Sequence, residues 1–239
     1  MAINTVDVCL SPELIHKYQL DGRVAVVVDI LRATSCMTAG LAHGVKSITP
    51  FASLDACLKM KAKGYLIAGE RNGQKVEGFD LGNSPFDYMA EEAQGKRVAT
   101  TTTNGTLAIE KCKGADQIII GSFLNISAVA QYLIRQKKNV LIVCAGWKGK
   151  VNMEDSLFAG ALAALLENED KFEFECDAPL LAATSYLNVK SNILEVIKNS
   201  SHAKRLNRLN VHKDIEFCLE HDKYDVVPVL NDGELVLRD

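Results

Sequence analysis

The chain has 239 residues, of which 48% are hydrophobic and 24% charged, the balance of an ordinary globular protein long enough to bury a sizeable core. Its net charge is −3, with no basic block and only 6% aromatic residues, so nucleic acid and anionic membrane surfaces are poor candidates for partners. The N-terminal residues lack the pattern of a signal peptide and no apolar run approaches a membrane span, so we expect a cytoplasmic protein.

The seven cysteines are spread along the chain without a Cys-x-x-Cys pair. This spacing is typical of reduced, mostly buried thiols and argues against a zinc knuckle or a disulfide framework. None of the seven is followed six residues later by an arginine, so the sequence lacks the phosphate-cradling loop of the cysteine phosphatases.

Strand and helix patterns alternate along the first 170 residues. Short apolar runs predict strands at 6–10, 25–28, 45–49, 65–68, 97–100, 117–120 and 140–144. Capping residues and helical periodicity predict helices at 37–43, 53–63, 84–94, 104–113, 125–137 and 154–167. Strands that alternate with helices at this spacing indicate an α/β fold whose mostly parallel sheet is covered on both faces.

The pattern changes after residue 170, where helices are predicted at 192–198 and 203–209. The chain then ends in a predicted hairpin, 226–230 and 235–238, around the turn Asn231-Asp232-Gly233. We find no internal repeat and no linker rich in Pro, Gly or Ser, so residues 1–239 are predicted to form one compact unit. Residues 1–170 would be its alternating core, and 171–239 would complete it.

Asp29 ends the run Ala25-Val-Val-Val, which predicts a strand buried on both faces. An ionised carboxylate does not enter a core without a partner, so Asp29 should sit at the mouth of the sheet and face a cation or a metal. Arg32 follows, and Thr34 and Ser35 are predicted to cap the next helix, so that an anion site forms beside a metal ligand. The alternative is a structural Asp29–Arg32 pair that closes the loop.

Polar residues also follow other predicted strands, at the edge where ligands bind in open α/β sheets. Glu70 and Arg71 follow one strand, Ser122 follows another, and 145–147 follow a third. The turn Thr101-Thr-Thr-Asn-Gly-Thr106 combines hydroxyls, an amide and a glycine, which suit phosphate oxygens because glycine lets the backbone approach closely. The alternative interpretation is an ordinary well-capped turn.

Carboxylates at the same edge indicate a magnesium site. Glu70 lies on a glycine-flanked loop, and Glu154 and Asp155 begin a predicted helix. Mg²⁺ takes one or two protein carboxylates, keeps several waters and binds a substrate phosphate directly. Glu154 and Asp155 would otherwise supply only the favourable negative charge of a first helical turn. The loop 76–85 is predicted to be an ordered active-site loop or, alternatively, a surface connection.

Missing motifs exclude several familiar phosphate chemistries. The sequence has no Gly-x4-Gly-Lys-Ser/Thr run, no Gly-x-Gly-x-x-Gly after a strand and no Gly-x-Ser-x-Gly elbow. Leu31 stands where a haloacid-dehalogenase phosphatase would carry its second acid. No His-x-x-x-His zinc pair occurs, and His202, with Arg205 and Arg208 on the same predicted helix, is predicted to lie on a solvated face.

Seven short blocks follow one another between about Val24 and Gly160, with a weaker continuation to Val227-Pro228. They are Val27-Val-Asp-Ile-Leu-Arg-Ala-Thr-Ser35, Gly69-Glu-Arg71, Gly78-Phe-Asp-Leu-Gly-Asn-Ser-Pro85, Thr102-Thr-Asn-Gly-Thr106, Gly121-Ser-Phe-Leu-Asn125, Cys144-Ala-Gly146 and Glu154-Asp-Ser-x-x-Ala-Gly160. In this order the blocks resemble the 2-phosphosulfolactate phosphatases, the ComB family.

The resemblance implies an Mg²⁺-dependent hydrolysis of (2R)-2-phospho-3-sulfolactate to 3-sulfolactate and phosphate, a reaction of coenzyme M biosynthesis in methanogens. It also implies a three-layer α/β/α fold with a mostly parallel, mixed sheet. From the blocks and the residues above, catalysis is assigned to Asp29, Arg32, Glu70 and Asp155, and metal binding to Asp29, Glu70, Glu154 and Asp155. Substrate binding is assigned to Thr34, Ser35, Arg71, Asn83, Ser84, Thr102, Thr103, Asn104, Gly105 and Ser122.

In the predicted mechanism, Mg²⁺ neutralises charge on the leaving oxygen while Arg32 and the amides of 102–105 bind the transferred phosphoryl group. Arg71 or Lys148 would meet the sulfonate or carboxylate. Attack by water and a phosphoenzyme on Asp29 both remain open, as does a homodimeric assembly. The alternatives are a phosphatase of the same fold for another phosphorylated hydroxy acid, and a non-catalytic sensor of a phosphorylated metabolite.

Overall fold

The computed structural model describes residues 3–169, 171–207, 209 and 211–238, and within these residues the chain forms one 11-stranded sheet and ten α-helices. The strands are β1 (Asn4–Cys9), β2 (Arg23–Val28), β3 (Ser47–Pro50), β4 (Leu66–Arg71), β5 (Gln74–Lys75), β6 (Arg97–Thr101), β7 (Gln117–Gly121), β8 (Asn139–Cys144), β9 (Phe172–Phe174), β10 (Pro228–Asn231) and β11 (Glu234–Leu237). The helices are α1 (Ala33–Ala42), α2 (Leu54–Lys59), α3 (Pro85–Met89), α4 (Gly105–Lys111), α5 (Ile126–Gln136), α6 (Met153–Glu167), α7 (Asp177–Val189), α8 (Ile193–Lys198), α9 (Ser201–Asn207) and α10 (His212–Cys218).

The strand β2 is buried along its whole length, as its apolar run predicts. Val24, Val26 and Val28 belong to a core cluster that includes residues of α5 and α6. Ala25 and Val27, which point to the opposite face, belong to a second cluster with residues of α1 and α4. Each fully buried valine contributes roughly 1.5–3 kcal/mol. Helices therefore cover both faces of the sheet, in the predicted three-layer α/β/α arrangement.

The sheet is mixed but mostly parallel, in the order β5-β4-β6-β3-β11-β10-β7-β2-β8-β1-β9. The predicted C-terminal hairpin, β10 and β11, lies inside this sheet and is antiparallel to its neighbours β7 and β3. Val229 pairs with Ile119 on one side, and Leu235 pairs with Ile48 on the other. The end of the chain thus joins two groups of strands, which are parallel except for the antiparallel pair β4–β5.

The strand β4 is longer than predicted, because it continues to Arg71 where the sequence predicts a loop from residue 69. Its last residues, Glu70 and Arg71, pair with β5 across a tight turn. Gly73 in this turn has a φ of 84°, a conformation that glycine adopts without strain. Glu70 is therefore held on a strand beside the site.

The segment after residue 170 contains more regular structure than predicted, since β9, α7 and α10 accompany the predicted helices α8 and α9. Helix α7 lies so close to α6 that a Cβ atom at Gly160 would come 2.0 Å from the carbonyl oxygen of Ala182. Pro179 near the start of α7 is the one sequence signal for this helix. Arg208, which the prediction placed on the helix 203–209, lies outside the described residues. None of the described helices is long and apolar enough to cross a membrane.

Candidate active site

A polar cavity of about 160 Å³ lies beyond the carboxyl end of β2. It is lined by Asp29, Leu31, Arg32, Glu70, Asn72, Gly73, Asn83, Asn104, Trp147, His202, Arg205, Leu206 and Leu209. Five of these residues are predicted from the sequence as site residues, namely Asp29, Arg32, Glu70, Asn83 and Asn104. The other predicted site residues do not line this cavity.

Asp29 follows β2 directly, and its side chain is buried with 7% of the residue exposed. Its backbone N–H donates to Thr34 Oγ1 at 3.0 Å, and the N–H of Ala33 donates to Asp29 Oδ1 at 3.4 Å. Burial raises the pKa of Asp29 to about 6; the His202 ring opposes this change, while the Glu70 charge adds to it. Asp29 is therefore a carboxylate whose negative charge is costly in this buried position.

Arg32 does not pair with Asp29, so the alternative of a structural Asp29–Arg32 pair is wrong. Its Nη1 forms a buried ion pair with Asp214 of α10, and its Nη2 donates to the Gly73 carbonyl oxygen at 3.2 Å. Arg32 is 4% exposed and lines the cavity. The C-terminal segment thus holds the guanidinium group in place at the site.

Glu70 reaches the cavity although five strands separate β4 from β2 in the sheet. The N–H of Thr103 donates to Glu70 Oε1 at 2.8 Å, and the N–H of Gly73 donates to Oε2 at 2.6 Å. Two turns therefore hold this carboxylate. Each oxygen keeps a second lone pair, so Glu70 can still accept a bond from a ligand in the cavity.

Glu154, at the start of α6, is fully buried and contacts His202 of α9. Its Oε1 lies 2.5 Å from His202 Nδ1, whereas its Oε2 is buried without a hydrogen-bond partner among the described residues. The prediction that His202 lies on a solvated helix face is wrong, because the residue is 6% exposed and lines the cavity. Its packing against α6 and Trp147, at 5.6 Å between ring centroids, explains the difference.

Asp155 lies behind the cavity, 1% exposed, and connects two loops. Its Oδ1 accepts from the N–H of Ile30 at 2.9 Å, and its Oδ2 accepts from the N–H of Gly146 at 2.9 Å. Burial and the charges of Glu154 and Asp29 raise the pKa of Asp155 well above its usual value. The structure therefore places Asp155 where it orients the loop that follows Asp29.

The predicted hydroxyl residues of α1 lie inside the helix. Arg32 is the N-cap residue, so the prediction that Thr34 and Ser35 cap this helix is wrong. Thr34 accepts from the backbone of Asp29, and the Ser35 hydroxyl donates to the Ile30 carbonyl oxygen at 2.8 Å. Both side chains are buried and stabilise the loop that follows β2, and neither lines the cavity.

Ser122, predicted to bind substrate, is fully buried at the end of β7. Its hydroxyl donates to Asn125 Oδ1 at 3.0 Å, and the Asn125 side chain accepts from the N–H of Ser122 at 2.9 Å. Both bonds end on the same amide oxygen and hold the turn that begins after β7. Ser122 therefore has a place in the fold away from the cavity wall.

The turn between β6 and α4 meets Asp29 through Gly105. A Cβ atom on this glycine would lie 2.8 Å from Asp29 Oδ2, so a larger residue would displace the carboxylate. The N–H of Thr102 donates to Thr106 Oγ1 at 3.2 Å, and that of Thr103 donates to Glu70. Both amides therefore already have acceptors within the protein, and binding of a phosphoryl group by the amides of 102–105 stays a prediction.

Arg71 and Ser84 are engaged outside the cavity. Arg71 donates to the Glu70 carbonyl oxygen at 2.7 Å and to Thr101 Oγ1 at 3.1 Å. Ser84 caps α3 by accepting from the N–H of Phe86 at 3.3 Å. Asn83 does line the cavity, and its Oδ1 is buried without a hydrogen-bond partner among the described residues.

The sequence placed residues 145–147 at this edge of the sheet but assigned no role to Trp147, and it did not bring His202 or Arg205 to the cavity. Trp147 follows β8, and His202 and Arg205 lie one helical turn apart on α9. The Arg205 guanidinium carbon lies 4.6 Å from the centroid of the Trp147 ring. The spacing of His202 and Arg205 and the single tryptophan of the chain were the available signals, but neither indicates contact across more than 50 residues.

The carboxylates present suit a hard cation such as Mg²⁺. In the described part of the chain, no group of three or more His, Cys, Asp and Glu side chains is arranged so that it could hold a metal ion. Mg²⁺ needs only one or two protein carboxylates, since waters and a phosphate complete its shell. Asp29 and Glu70 are buried carboxylates that line the same cavity, and a cation would stabilise their charges. The donor set fits this metal.

Comparison with known proteins shows the family to which the chain belongs. A family model described as 2-phosphosulpholactate phosphatase matches residues 9–233. A protein of Thermotoga petrophila named "Probable 2-phosphosulfolactate phosphatase" is 42% identical over 234 residues, which cover 98% of this chain and 99% of that protein. Proteins of the same name from Caldanaerobacter subterraneus subsp. tengcongensis and Clostridium acetobutylicum are 40% and 36% identical, over 92% and 97% of this chain and 92% and 99% of their own. The chain belongs to the 2-phosphosulfolactate phosphatase family, a family of phosphoric monoester hydrolases.

Proposed function

We propose that this family member hydrolyses 2-phospho-3-sulfolactate to 3-sulfolactate and phosphate with the help of Mg²⁺. The observation that carries the proposal is the buried Asp29 carboxylate, which shares one small cavity with Arg32 and Glu70. Such a combination of acids and a guanidinium group suits a phosphate ester that binds together with a divalent cation. The names of the relatives support the choice of substrate.

Asp29 and Glu70 are the residues that we propose to hold the metal, because both line the cavity. Glu154 and Asp155, which the sequence also assigned to the metal, do not line this cavity and are less suited to the role. When bound, Mg²⁺ would polarise the phosphoryl group and neutralise charge on the leaving oxygen.

Arg32 is proposed to orient the phosphoryl group. Its ion pair with Asp214 and its hydrogen bond to Gly73 fix the plane of the guanidinium group, so little side-chain entropy would be lost when a phosphate binds. Asp29, at the end of a rigid strand, would either orient an attacking water or form a phosphoenzyme itself. Mass analysis of Asp29 after trapping with a mimic of the phosphoryl transition state separates these two routes.

A substrate panel tests the proposal. The purified protein is assayed for phosphate release, with Mg²⁺ present, from 2-phospho-3-sulfolactate, 2-phospholactate and 3-phosphoglycerate. We expect the highest kcat/KM for the sulfonated ester. A higher value for one of the other esters would assign the chain to a different phosphorylated hydroxy acid. Binding without release of phosphate from any ester would indicate a sensor and refute the proposal.

Three finer parts of the prediction remain proposals with their own tests. A role in coenzyme M biosynthesis predicts that deletion of the gene makes growth of a producing organism dependent on added coenzyme M. A cytoplasmic location is tested by cell fractionation. A homodimeric assembly is tested by light scattering after size-exclusion chromatography.

A further inference from the structure

Arg205 has hydrogen-bond donors that the described residues do not satisfy. Its side chain lines the cavity, and its guanidinium group lies over the Trp147 ring, with 4.6 Å between Cζ and the ring centroid. Nε and Nη2 are both buried, and neither has an acceptor in the described part of the chain. An indole ring compensates only part of the cost of burying a guanidinium group, because it does not accept in-plane N–H bonds. An anionic acceptor would complete the environment of Arg205.

The other cations near the cavity are committed elsewhere or exposed. Arg32, which pairs with Asp214, is assigned to the phosphoryl group, and Arg71 donates to the backbone of Glu70 outside the cavity. Lys148 is exposed, with its Nζ 5.3 Å from the centroid of the Trp147 ring. Arg205 is therefore better placed than Arg71 or Lys148 to meet a second anionic group of a ligand.

We infer that Arg205, stacked on Trp147, binds the anionic group that the substrate carries in addition to its phosphate. The planar guanidinium fork matches two oxygens of a sulfonate or a carboxylate, and the ring holds the fork in one orientation. This inference rests on the proposed function, which places the phosphate and its metal at Asp29 and Glu70. The cavity would then bind both charged ends of one small molecule, which predicts selection among three-carbon esters.

Binding of the dephosphorylated product tests the inference without turnover. Isothermal titration calorimetry, in Mg²⁺, compares wild type with Arg205→Gln, Arg205→Lys and the control Lys204→Gln, which removes an exposed charge from the same helix. The ligands are 3-sulfolactate, lactate and 2-hydroxyethanesulfonate. We expect Arg205→Gln to bind 3-sulfolactate about 10- to 100-fold more weakly, Arg205→Lys to lose less, and Lys204→Gln to match wild type. Fluorescence of Trp147, the single tryptophan, reports binding at this place.

The two simpler ligands identify the group that Arg205 binds. If Arg205→Gln loses affinity for 2-hydroxyethanesulfonate and not for lactate, Arg205 binds the sulfonate. If it loses affinity for lactate and not for 2-hydroxyethanesulfonate, Arg205 binds the carboxylate. Equal affinity of Arg205→Gln and wild type for all three ligands, or no binding by wild type, would overturn the inference. Failure of the proposed function is a separate result: wild type would then release no phosphate from 2-phospho-3-sulfolactate, whatever the binding data show.

Discussion

Replacing Asp29 with Asn should remove most of the activity and stabilise the metal-free protein above pH 6. Burial, opposed by His202 and assisted by Glu70, raises the pKa of Asp29 to about 6 from an ordinary 3.8. The folded state thus binds the proton more tightly than the unfolded state. The stability of the metal-free wild type therefore falls as the pH rises from 3.8 to about 6. Above about pH 6 the carboxyl group is ionised in both states and no further stability is lost. Asn at this position carries no charge and avoids the loss.

The magnitude follows from the two pKa values. The difference between about 6 and 3.8, at about 1.36 kcal/mol per pH unit, amounts to about 3 kcal/mol. A chain of this length gains about 2–4 °C in Tm per kcal/mol, so Asp29→Asn should melt about 6–12 °C above wild type at pH 7.5 in EDTA. At pH 4.5 the difference should be about a third as large. The shape is preserved, since Asn can still accept from the N–H of Ala33.

Asp80→Asn is the matched control, and the change in stability expected for it has the opposite sign. At Asp80 the cost of burial is outweighed by hydrogen bonds from Ile67 N–H and Lys61, which lower the pKa of this carboxyl group. Its replacement should destabilise the protein above pH 4 and leave phosphate release unchanged. Thermal melts at both pH values and a phosphate assay measure all of these effects. An Asp29→Asn variant that is less stable than wild type at pH 7.5, or that retains its activity, would refute the reasoning.

Two further substitutions test the surroundings of Asp29. Arg32→Ala leaves Asp214 buried without its partner, so denaturant melts should show a loss of about 3–5 kcal/mol. Arg32→Lys keeps the charge and should keep most of the stability but lose activity, and wild-type kinetics in this variant would remove Arg32 from the site. Gly105→Ala places a Cβ atom 2.8 Å from Asp29 Oδ2 and should lower kcat by about 100-fold. Its control, Gly114→Ala, has no atom nearer than 3.4 Å, and equal activity of the two variants would contradict the proposed close approach.

The local pattern of the sequence was enough to predict the sheet and one wall of the site. The apolar run of β2 predicted a strand buried on both faces, because its residues alternate between two helical layers. The polar residues after it and after β4 and β6 were expected at one edge, and Asp29, Glu70 and Asn104 do line one cavity. Residues at strand ends are predictable since their position follows from local periodicity and from the common direction of parallel strands.

The opposite wall was not predictable, because it is built by contacts between distant segments. His202 looked like part of a solvated helix face, yet α9 packs on α6 and places the ring against Glu154. Asp214, on a helix that the sequence did not indicate, pairs with Arg32 across 182 positions. Some residues that were predicted to bind substrate have structural roles instead, since Thr34 and Ser122 use their hydroxyls to hold turns. Residue type alone does not distinguish a side chain that binds a ligand from one that binds a nearby backbone group.

The most direct test of the central claim, a metal-assisted phosphatase site at Asp29, is phosphate release from 2-phospho-3-sulfolactate measured in Mg²⁺, in EDTA and after Mg²⁺ is added back. We predict release in Mg²⁺, loss of release in EDTA and recovery on re-addition, because the buried carboxylates of the cavity need a cation to bind a phosphate ester. Release that is equally fast in EDTA would contradict the account.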